Sequence, residues 1–515
     1  MPGWLAPLAF GLVLLSFLAE SPWPLTHIIG RLDQAVYVLG GAEWVQGRIP
    51  YRDFWDNKPP SIYLLNAIAW KLSGGCLGIW VISLACAAGG ALLFFDISRR
   101  LYGAAALPVT ALYLAETAPE AGPNDVNGFV LILTLAALRL FLGRVARPGL
   151  LWPDGFVLGL FWAIAVLFRP NACLMLTGVL VLLLVLACRR AGFRAGAAVL
   201  LAQAIGAASY LLPVAWYFWR HGAMRAALDC LVRFNAAYVS GRFPEHVQAA
   251  IFGLSVAAGG DLPLLAGAVI WVTLRPFPHA ALEVRLLERA LPALLLAELC
   301  LASAAGRPFG GYFSLARLIG ALLTGSMLGA ILSLADGHEL PHGVTRAIRA
   351  AWYGGLVLPA VISFAARNAP VLAKGYWFDH PVSDVAAFIR THPGNARVFV
   401  WGDRPGIYLL PGVRADVRFS FILPLLIPGY VNGGSVGDLL AALDRARPDY
   451  IFDLSAADGV PPLSGAGGMD LPAASLAQGW RDSPALRPVY AYVAQHYRIV
   501  PGGPAGVTVY QRLAG

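Results

Sequence analysis

Residues 171–219 read NACLMLTGVLVLLLVLACRRAGFRAGAAVLLAQAIGAASYLLPVAWYFW, and this stretch decides the class of fold. It holds two apolar runs, 171–188 and 196–219, each close to the roughly 20 residues a helix needs to cross a bilayer. Between them stand Arg189, Arg190 and Arg194. Two hydrocarbon-length helices joined by a basic turn are a membrane signature, with the turn on the cytoplasmic side. The same pattern runs through the chain, of whose 515 residues 58% are hydrophobic and 13% charged, with a mean hydropathy of +0.65. Soluble domains carry about 25% charged residues. This composition argues against a soluble multidomain enzyme, and equally against disorder, collagen or a coiled coil. The net charge of +9 is scattered between apolar runs, as loop charges are, and does not gather into a nucleic-acid face.

Working outward, about eleven runs qualify as spans: near 4–19, 76–95, 103–118, 127–143, 153–168, 171–188, 196–219, 249–274, 286–305, 312–335 and 350–366. The run 249–274 is interrupted by Asp261. With the N-terminus cytoplasmic, the short inner loops carry Arg99 and Arg100; Arg139, Arg144 and Arg147; Arg189, Arg190 and Arg194; Arg275, Arg285 and Arg289; and Arg346 and Arg349. All five are basic, as the positive-inside rule asks. An odd number of spans then places the C-terminus outside. The first run lacks a basic leader and an Ala-x-Ala-like cleavage site, so it reads as a retained helix.

Three outer segments interrupt the spans. The first, about 20–75, contains Asp33–Gln46, which reads as a helix with Asp33 as N-cap and Gly47 as its stop. Arg48 to Pro60 follows, mixing Tyr51, Phe54 and Trp55 with charges. The second segment is about 220–248. The third begins near 370, where helix-like Asp384–Arg390 alternates with strand-like Arg397–Gly402, Arg447–Asp453 and Val507–Arg512, suggesting a small α/β domain. The expected division is therefore a transmembrane domain over 1–370 and an extracytoplasmic α/β domain over 371–515. Gly433–Gly437 and Gly465–Gly468 lack a Lys-Ser/Thr partner and read as loops. Six cysteines without a CxxC pair indicate neither zinc nor a disulfide framework.

Chemistry-bearing residues converge on the outer face. Asp33 follows the first span, while Glu116, Glu120 and Asp125 lie at the turn between the third and fourth. Carboxylates beside hydrocarbon are costly, and such placement points to function. Asp33 and Asp125 could instead be helix caps, and the glutamates solvated loop charges. Cations share the face: Lys58 in Asn57-Lys-Pro-Pro60, Arg169 in Phe168-Arg-Pro-Asn171 and Arg307 in Gly306-Arg-Pro-Phe309. These suit a phosphate, although headgroup anchoring would also place them there. Carboxylates and cations at an outer interface fit transfer of a sugar from a polyprenyl phosphate. The carboxylate takes the acceptor's proton and the cations hold the departing phosphate. A divalent cation, Mg or Mn, could share that phosphate between acidic ligands.

The run Arg31-Leu-Asp-Gln-Ala-Val-Tyr37, then Gly47-Arg-Ile-Pro-Tyr-Arg-Asp-Phe-Trp-Asp-Asn-Lys-Pro-Pro60 and Ile62-Tyr-Leu-Leu65, resembles the first outer loop of polytopic glycosyltransferases of the type C fold. These are family 39-like enzymes, relatives of dolichyl-phosphate-mannose protein mannosyltransferases and bacterial aminoarabinose transferases. The resemblance covers roughly the first 190 residues, including Pro123-Asn-Asp-Val-Asn127 and Phe168-Arg-Pro-Asn171, and extends more loosely to Gly306–Tyr312 and the tail. It implies Asp33 as catalytic acid residue of the first loop. It further implies a role for Lys58, through Lys58-Pro59-Pro60, and Asp125 with Glu116 or Glu120 as a second acidic site. Tyr37, one helical turn after Asp33 and on the same helix face, joins Lys58, Arg169 and Arg307 as expected substrate contacts. The resemblance also implies a multi-pass protein of the bacterial inner membrane with a periplasmic site, a polyprenyl-phosphate sugar donor and a glycan, lipid or protein acceptor. This chain departs twice: Asn57 stands where many relatives have Glu, and Gly311 where others have His.

Two other classes fit an apolar chain with outer charges. A flippase for lipid-linked sugars would carry carboxylates deeper in its spans, for which Asp261 and Glu298 are the candidates. A non-catalytic assembly protein would use the tail alone, and gives no reason for Asp33, Asp125 and Lys58 to share a face. The topology is directly testable. A reporter fused after Gly375 should be active outside the cytoplasmic membrane and one after Arg190 inactive there; a cytoplasmic tail would remove the basis of the outer site.

Overall fold

The computed structural model describes residues 32–117, 124–147, 149–239, 243–258, 262–274, 282–337, 380–391, 397–415, 417–427, 429–464 and 483–513. The runs 4–19 and 350–366, Glu120, Asp261 and Gly465–Gly468 lie outside them. In chain order the main helices are α1 (Leu32–Val45), α2 (Ser61–Ser73), α3 (Leu77–Tyr102), α4 (Ala106–Thr117), α5 (Val126–Val145), α6 (Trp152–Val166) and α7 (Leu174–Arg220). They continue as α8 (Phe243–Ala257), α9 (Leu262–Leu274), α10 (Leu282–Ser303), α11 (Ser314–Gly337), α12 (His380–Thr391), α13 (Gly433–Ala446) and α14 (Arg487–His496). Strands are β1 (Val398–Trp401), β2 (Tyr450–Asp453), β3 (Tyr497–Ile499) and β4 (Thr508–Arg512).

The chain divides into two compact units, one of 1–21, 81–216 and 242–374, the other of 22–80, 217–241 and 375–515. Among the described residues, α3, α5, α7 and Gly310–Ile331 are long and apolar enough to cross a membrane; a fifth crossing arises if α8 and α9 form one broken span. Helix α7 has 47 residues, about 70 Å at 1.5 Å per residue, more than twice the hydrocarbon thickness. It breaks at Ala191 and Gly192, the latter at φ 77°, a backbone region that glycine enters without a Cβ penalty. The two expected runs 171–188 and 196–219 are thus the two arms of α7. Arg190, at the break, donates to the carbonyls of Arg144, Val145 and Arg147, which satisfies the open C-terminus of α5.

Within the first unit, α6 and α7 meet through small residues. A Cβ at Gly159 would run into the carbonyl of Gln203, and one at Gly206 into the carbonyl of Phe156. Gly155, Gly159 and Ala163 recur every four residues, and this spacing lets two backbones touch where hydrophobic burial gives no drive. Helix α11 is buried along most of its length, among α4, α8, α9 and α10. Its Gly320 and Gly325 admit Ala257 and Tyr102 against its backbone, and the Tyr102 hydroxyl donates to the Leu322 carbonyl at 2.9 Å.

The second unit carries a four-stranded sheet in the order β1-β2-β4-β3, with β1 and β2 parallel and the other pairs antiparallel. Helix α13 crosses over between the parallel pair. Leu39 of α1 joins the core that this sheet builds with Val382, Val400, Ile407 and Phe452, so the loop helix is held by the C-terminal segment. Gly40 and Gly41 let α1 lie on α2, against Tyr63 and Asn66.

Two local expectations change. Asp33 is the second residue of α1, in its first turn and not at its N-cap. Gly433–Gly437 is not a loop: it opens α13, where Asn432 and Ser435 form a reciprocal capping box that offsets the weak propensity of three glycines. The second outer segment is helical at Met224–Leu228 and Asn235–Tyr238, and α8 begins at Phe243. Strand β3, too short to show alternation, was not expected. The α6–α7 contact predicts that Gly159→Leu costs about 2 kcal/mol or more, the scale of overpacking where backbone must move. Thermal unfolding in detergent would show it, and a variant as stable as the parent would refute the close crossing.

Candidate functional site

The second unit brings Asp33, Tyr37 and Lys58 together. Lys58 Nζ stands 3.8 Å from Asp33 Oδ2, with the Asp33 side chain 64% exposed and that of Lys58 25%. Tyr37, one turn after Asp33 on α1, is buried and meets Tyr63 edge to face at 6.2 Å. The backbone around Lys58 is fixed from both sides. Tyr51, at φ 68°, donates its hydroxyl to the Lys58 carbonyl at 2.8 Å. On the other side Pro59 and Pro60 lead into α2. Asn57 donates to Asn235 at 3.1 Å, and Asn235 returns a bond to the Asn57 carbonyl at 3.2 Å.

A residue not singled out from sequence sits at the centre. Asp56 is 3% exposed, accepts the Tyr63 hydroxyl, and takes the Asn57 N–H at 2.6 Å. Burial pushes its carboxyl up to about 6, opposed chiefly by Lys58 and by the Tyr63 bond, while Asp33 adds to the rise. Burial raises the Tyr51 and Tyr63 phenols well above their ordinary value, with Asp56 contributing, so both remain hydrogen-bond donors. The available sequence signal was position. Asp56 directly precedes Asn57-Lys-Pro-Pro60 and follows Trp55, a side chain large enough to drag its neighbour inside.

The first unit holds the other expected residues. Asp125 is the N-cap of α5, accepting from the Asn127 backbone at 2.8 Å and its side chain at 2.9 Å. Asn127 passes the interaction on by accepting from Arg169. The Arg169 guanidinium also donates to Asn171 at 3.1 Å and to the Gly311 carbonyl at 3.2 Å, and its Cζ lies 4.7 Å over the Tyr312 ring. Arg169 and Arg307 are 9% and 8% exposed, against the picture of side chains reaching for lipid headgroups. Glu298, on α10 and 1% exposed, lies within electrostatic reach of Arg169. Glu116 is in the last turn of α4. Among the described residues no three His, Cys, Asp or Glu side chains gather closely enough to hold a metal ion.

No protein-family model matches the chain. No curated protein matches its sequence either. Solved structures do. ArnT from Cupriavidus metallidurans in the apo state is similar with a TM-score of 0.58 at 15% identity, over 99% of this chain and 98% of that one. Its structure bound to undecaprenyl phosphate gives 0.58 at 14%, with the same coverage. A likeness that runs end to end at so low an identity shows architecture, and the chain has the type C glycosyltransferase fold with a small C-terminal sheet, as the first-loop residues implied.

Asp56 generates a pH prediction. An unfolded Asp releases its proton near 3.9, whereas the folded chain keeps it to about 6, so the native state binds more protons between those values. Asp56 therefore contributes stability that is full below about pH 4 and lost as pH rises through 6. Asp56→Asn should flatten the fall in unfolding temperature across that window, and identical pH profiles for the two proteins would refute the buried carboxyl.

Proposed function

We propose that the protein is an integral membrane glycosyltransferase that moves a sugar from a polyprenyl-phosphate donor to a hydroxyl acceptor. The observation that carries this reading is the exposed Asp33 carboxylate beside Lys58, held on a rigid first loop in a chain of type C fold. The ArnT structure with undecaprenyl phosphate supports the donor class. The basic inner loops support a site on the periplasmic face of a bacterial inner membrane.

The chemistry is an inverting displacement. The acceptor oxygen attacks the anomeric carbon as its proton passes to Asp33, and the bond from that carbon to the phosphate oxygen breaks with its electron pair. Lys58 is the cation nearest the base, and a point charge there stabilises the departing phosphate. An ion pair this exposed is worth about 0–1 kcal/mol, so exchanging Asp33 for a phosphate costs Lys58 little and frees the carboxylate. Tyr37 and the Tyr63–Asp56 pair hold the two elements in place. Arg169 and Arg307 are proposed as further donor contacts. No step is assigned to a divalent cation. Asp125 already spends one oxygen on the α5 cap, and Glu116 and Glu120 would have to complete any metal site.

One observation favours a second reading, a flippase for lipid-linked sugars: the buried carboxylate of Glu298 on α10. A single experiment separates the two. Purified protein incubated with a panel of polyprenyl-phosphate sugars should release polyprenyl phosphate, which a flippase would not do. Asp33→Asn should keep its fold, because Asp33 lies in the first turn of α1 with an exposed side chain. It should lower release by a factor on the order of 10²–10⁴, the usual worth of a general base. Near-normal release by a folded Asp33→Asn protein would end the assignment.

A further inference from the structure

An open cleft of about 760 Å³ lies within the second unit, and five arginines line it: Arg48, Arg52, Arg225, Arg418 and Arg445. Three aspartates face them, Asp53, Asp229 and Asp438. This leaves a formal excess of two positive charges, and part of the pairing is already committed. Arg52 forks onto Asp53 through two bonds of 2.8 Å. Arg48 spends its donors on Glu43 at 2.6 Å and on the carbonyls of Ala415 and Asp53. Asp229 accepts from Arg233 at 2.9 Å and from the Tyr430 hydroxyl at 2.6 Å.

Two cations remain uncommitted, and a third, Arg418, is only partly so. Arg418 gives its Nε to the Tyr51 carbonyl at 3.0 Å and its Nη2 to the Cys230 sulfur at 3.6 Å. Its Nη1 reaches Asp438, 68% exposed, only at 3.9 Å, so that nitrogen is the one most readily turned to a ligand. Arg225 and Arg445 make neither an ion pair nor a side-chain hydrogen bond among the described residues. Uncommitted guanidiniums on a flat surface are simply solvated. Inside a concavity the walls concentrate the field, and a planar fork matches a tetrahedral oxyanion through paired N–H donors. The volume falls within the roughly 300–1,000 Å³ of small-molecule sites and exceeds what a bare anion fills. We propose that this cleft binds a phosphate monoester through Arg225 and Arg445, with Arg418 as a third donor. The phosphate comes either from a soluble organic phosphate or from an anionic lipid headgroup. The site stands on its own groups, independently of the transfer reaction.

The test uses the full chain in nanodiscs of neutral phosphatidylcholine and maps phenylglyoxal modification of arginines by mass spectrometry. Glycerol phosphate is the soluble probe, glycerol its neutral control, and phosphatidic acid in the disc the lipid probe. Protection of Arg225 and Arg445 by glycerol phosphate supports the proposal with a soluble ligand; protection only in phosphatidic acid discs supports it with a headgroup. Arg390, exposed on α12 and away from the cleft, reports non-specific shielding. An Arg225→Gln, Arg445→Gln double variant should bind the protecting probe about tenfold more weakly or worse, the equivalent of one charge-assisted bond, at an unchanged unfolding temperature. Failure of both probes to protect, protection of Arg390 to the same degree, or full binding by the double variant would overturn the site. Because no turnover is measured, none of these outcomes bears on glycosyl transfer.

Discussion

The burial of Trp55 is the interaction on which the first loop depends. Its side chain is fully enclosed, edge to face with Phe234 at 4.7 Å. Its indole N–H donates to the Tyr430 hydroxyl at 2.8 Å, which in turn donates to Asp229. Its backbone N–H is taken by the Arg418 carbonyl at 2.8 Å. Three stretches far apart in sequence, 46–60, 217–241 and the C-terminal segment, therefore meet on one indole. Such a ring buries 150–250 Å² and carries a single donor, so it fixes both depth and orientation. Asp56, Asn57 and Lys58 follow immediately and inherit that geometry.

The membrane helices solve a different problem. Lipid gives apolar faces no reason to leave it, so close contact and polar satisfaction must do the holding. Gly155, Gly159 and Gly206 bring α6 and α7 to backbone contact, and the glycines of α11 admit Tyr102 and the end of α8. Charged groups at the helix ends are paired. Asp96 takes Arg99, Arg100 and Arg139, and Asp154 takes Arg144. Positive charge at these helix ends thereby fastens one helix to the next.

How much of this the chain reveals by inspection depends on the range of the interaction. Span-length apolar runs are local, and α3, α5, α7 and α10 lie where their runs stand. So are β1, β2 and β4, each a short β-branched or aromatic stretch, and the Asp33-to-Lys58 pair lies within one loop. Gly433–Gly437 misled because propensity is a weak prior and a two-residue capping box outweighs it. Asp125 could be read either as a cap or as a free acid, and only its bond to Asn127 decides that it caps. Asp56 escaped notice because its importance is not local at all. It follows from the depth of Trp55, and that depth is set by Phe234 and Tyr430, about 180 and 375 residues away.

The same burial accounts for the chain's departure at Asn57. Many members of the family that the first loop resembles carry Glu in that place, next to Lys-Pro-Pro. Here the preceding position already holds one, enclosed and within reach of Lys58 and Asp33. A second carboxylate at 57 would set two negative charges on adjacent residues in a low-dielectric loop, where like charges a few ångströms apart strongly disfavour joint ionisation. Asn57 avoids this and supplies what a carboxylate cannot, a donor for the Asn235 carbonyl oxygen, from whose amide its own backbone carbonyl takes a bond back. Glutamate there would leave Asn235 Oδ1 without that donor as well as adding the charge. The buried acid beside Lys58 is thus Asp56. There it acts on the lysine through the electrostatic field, while the Asp33 side chain stays 64% exposed.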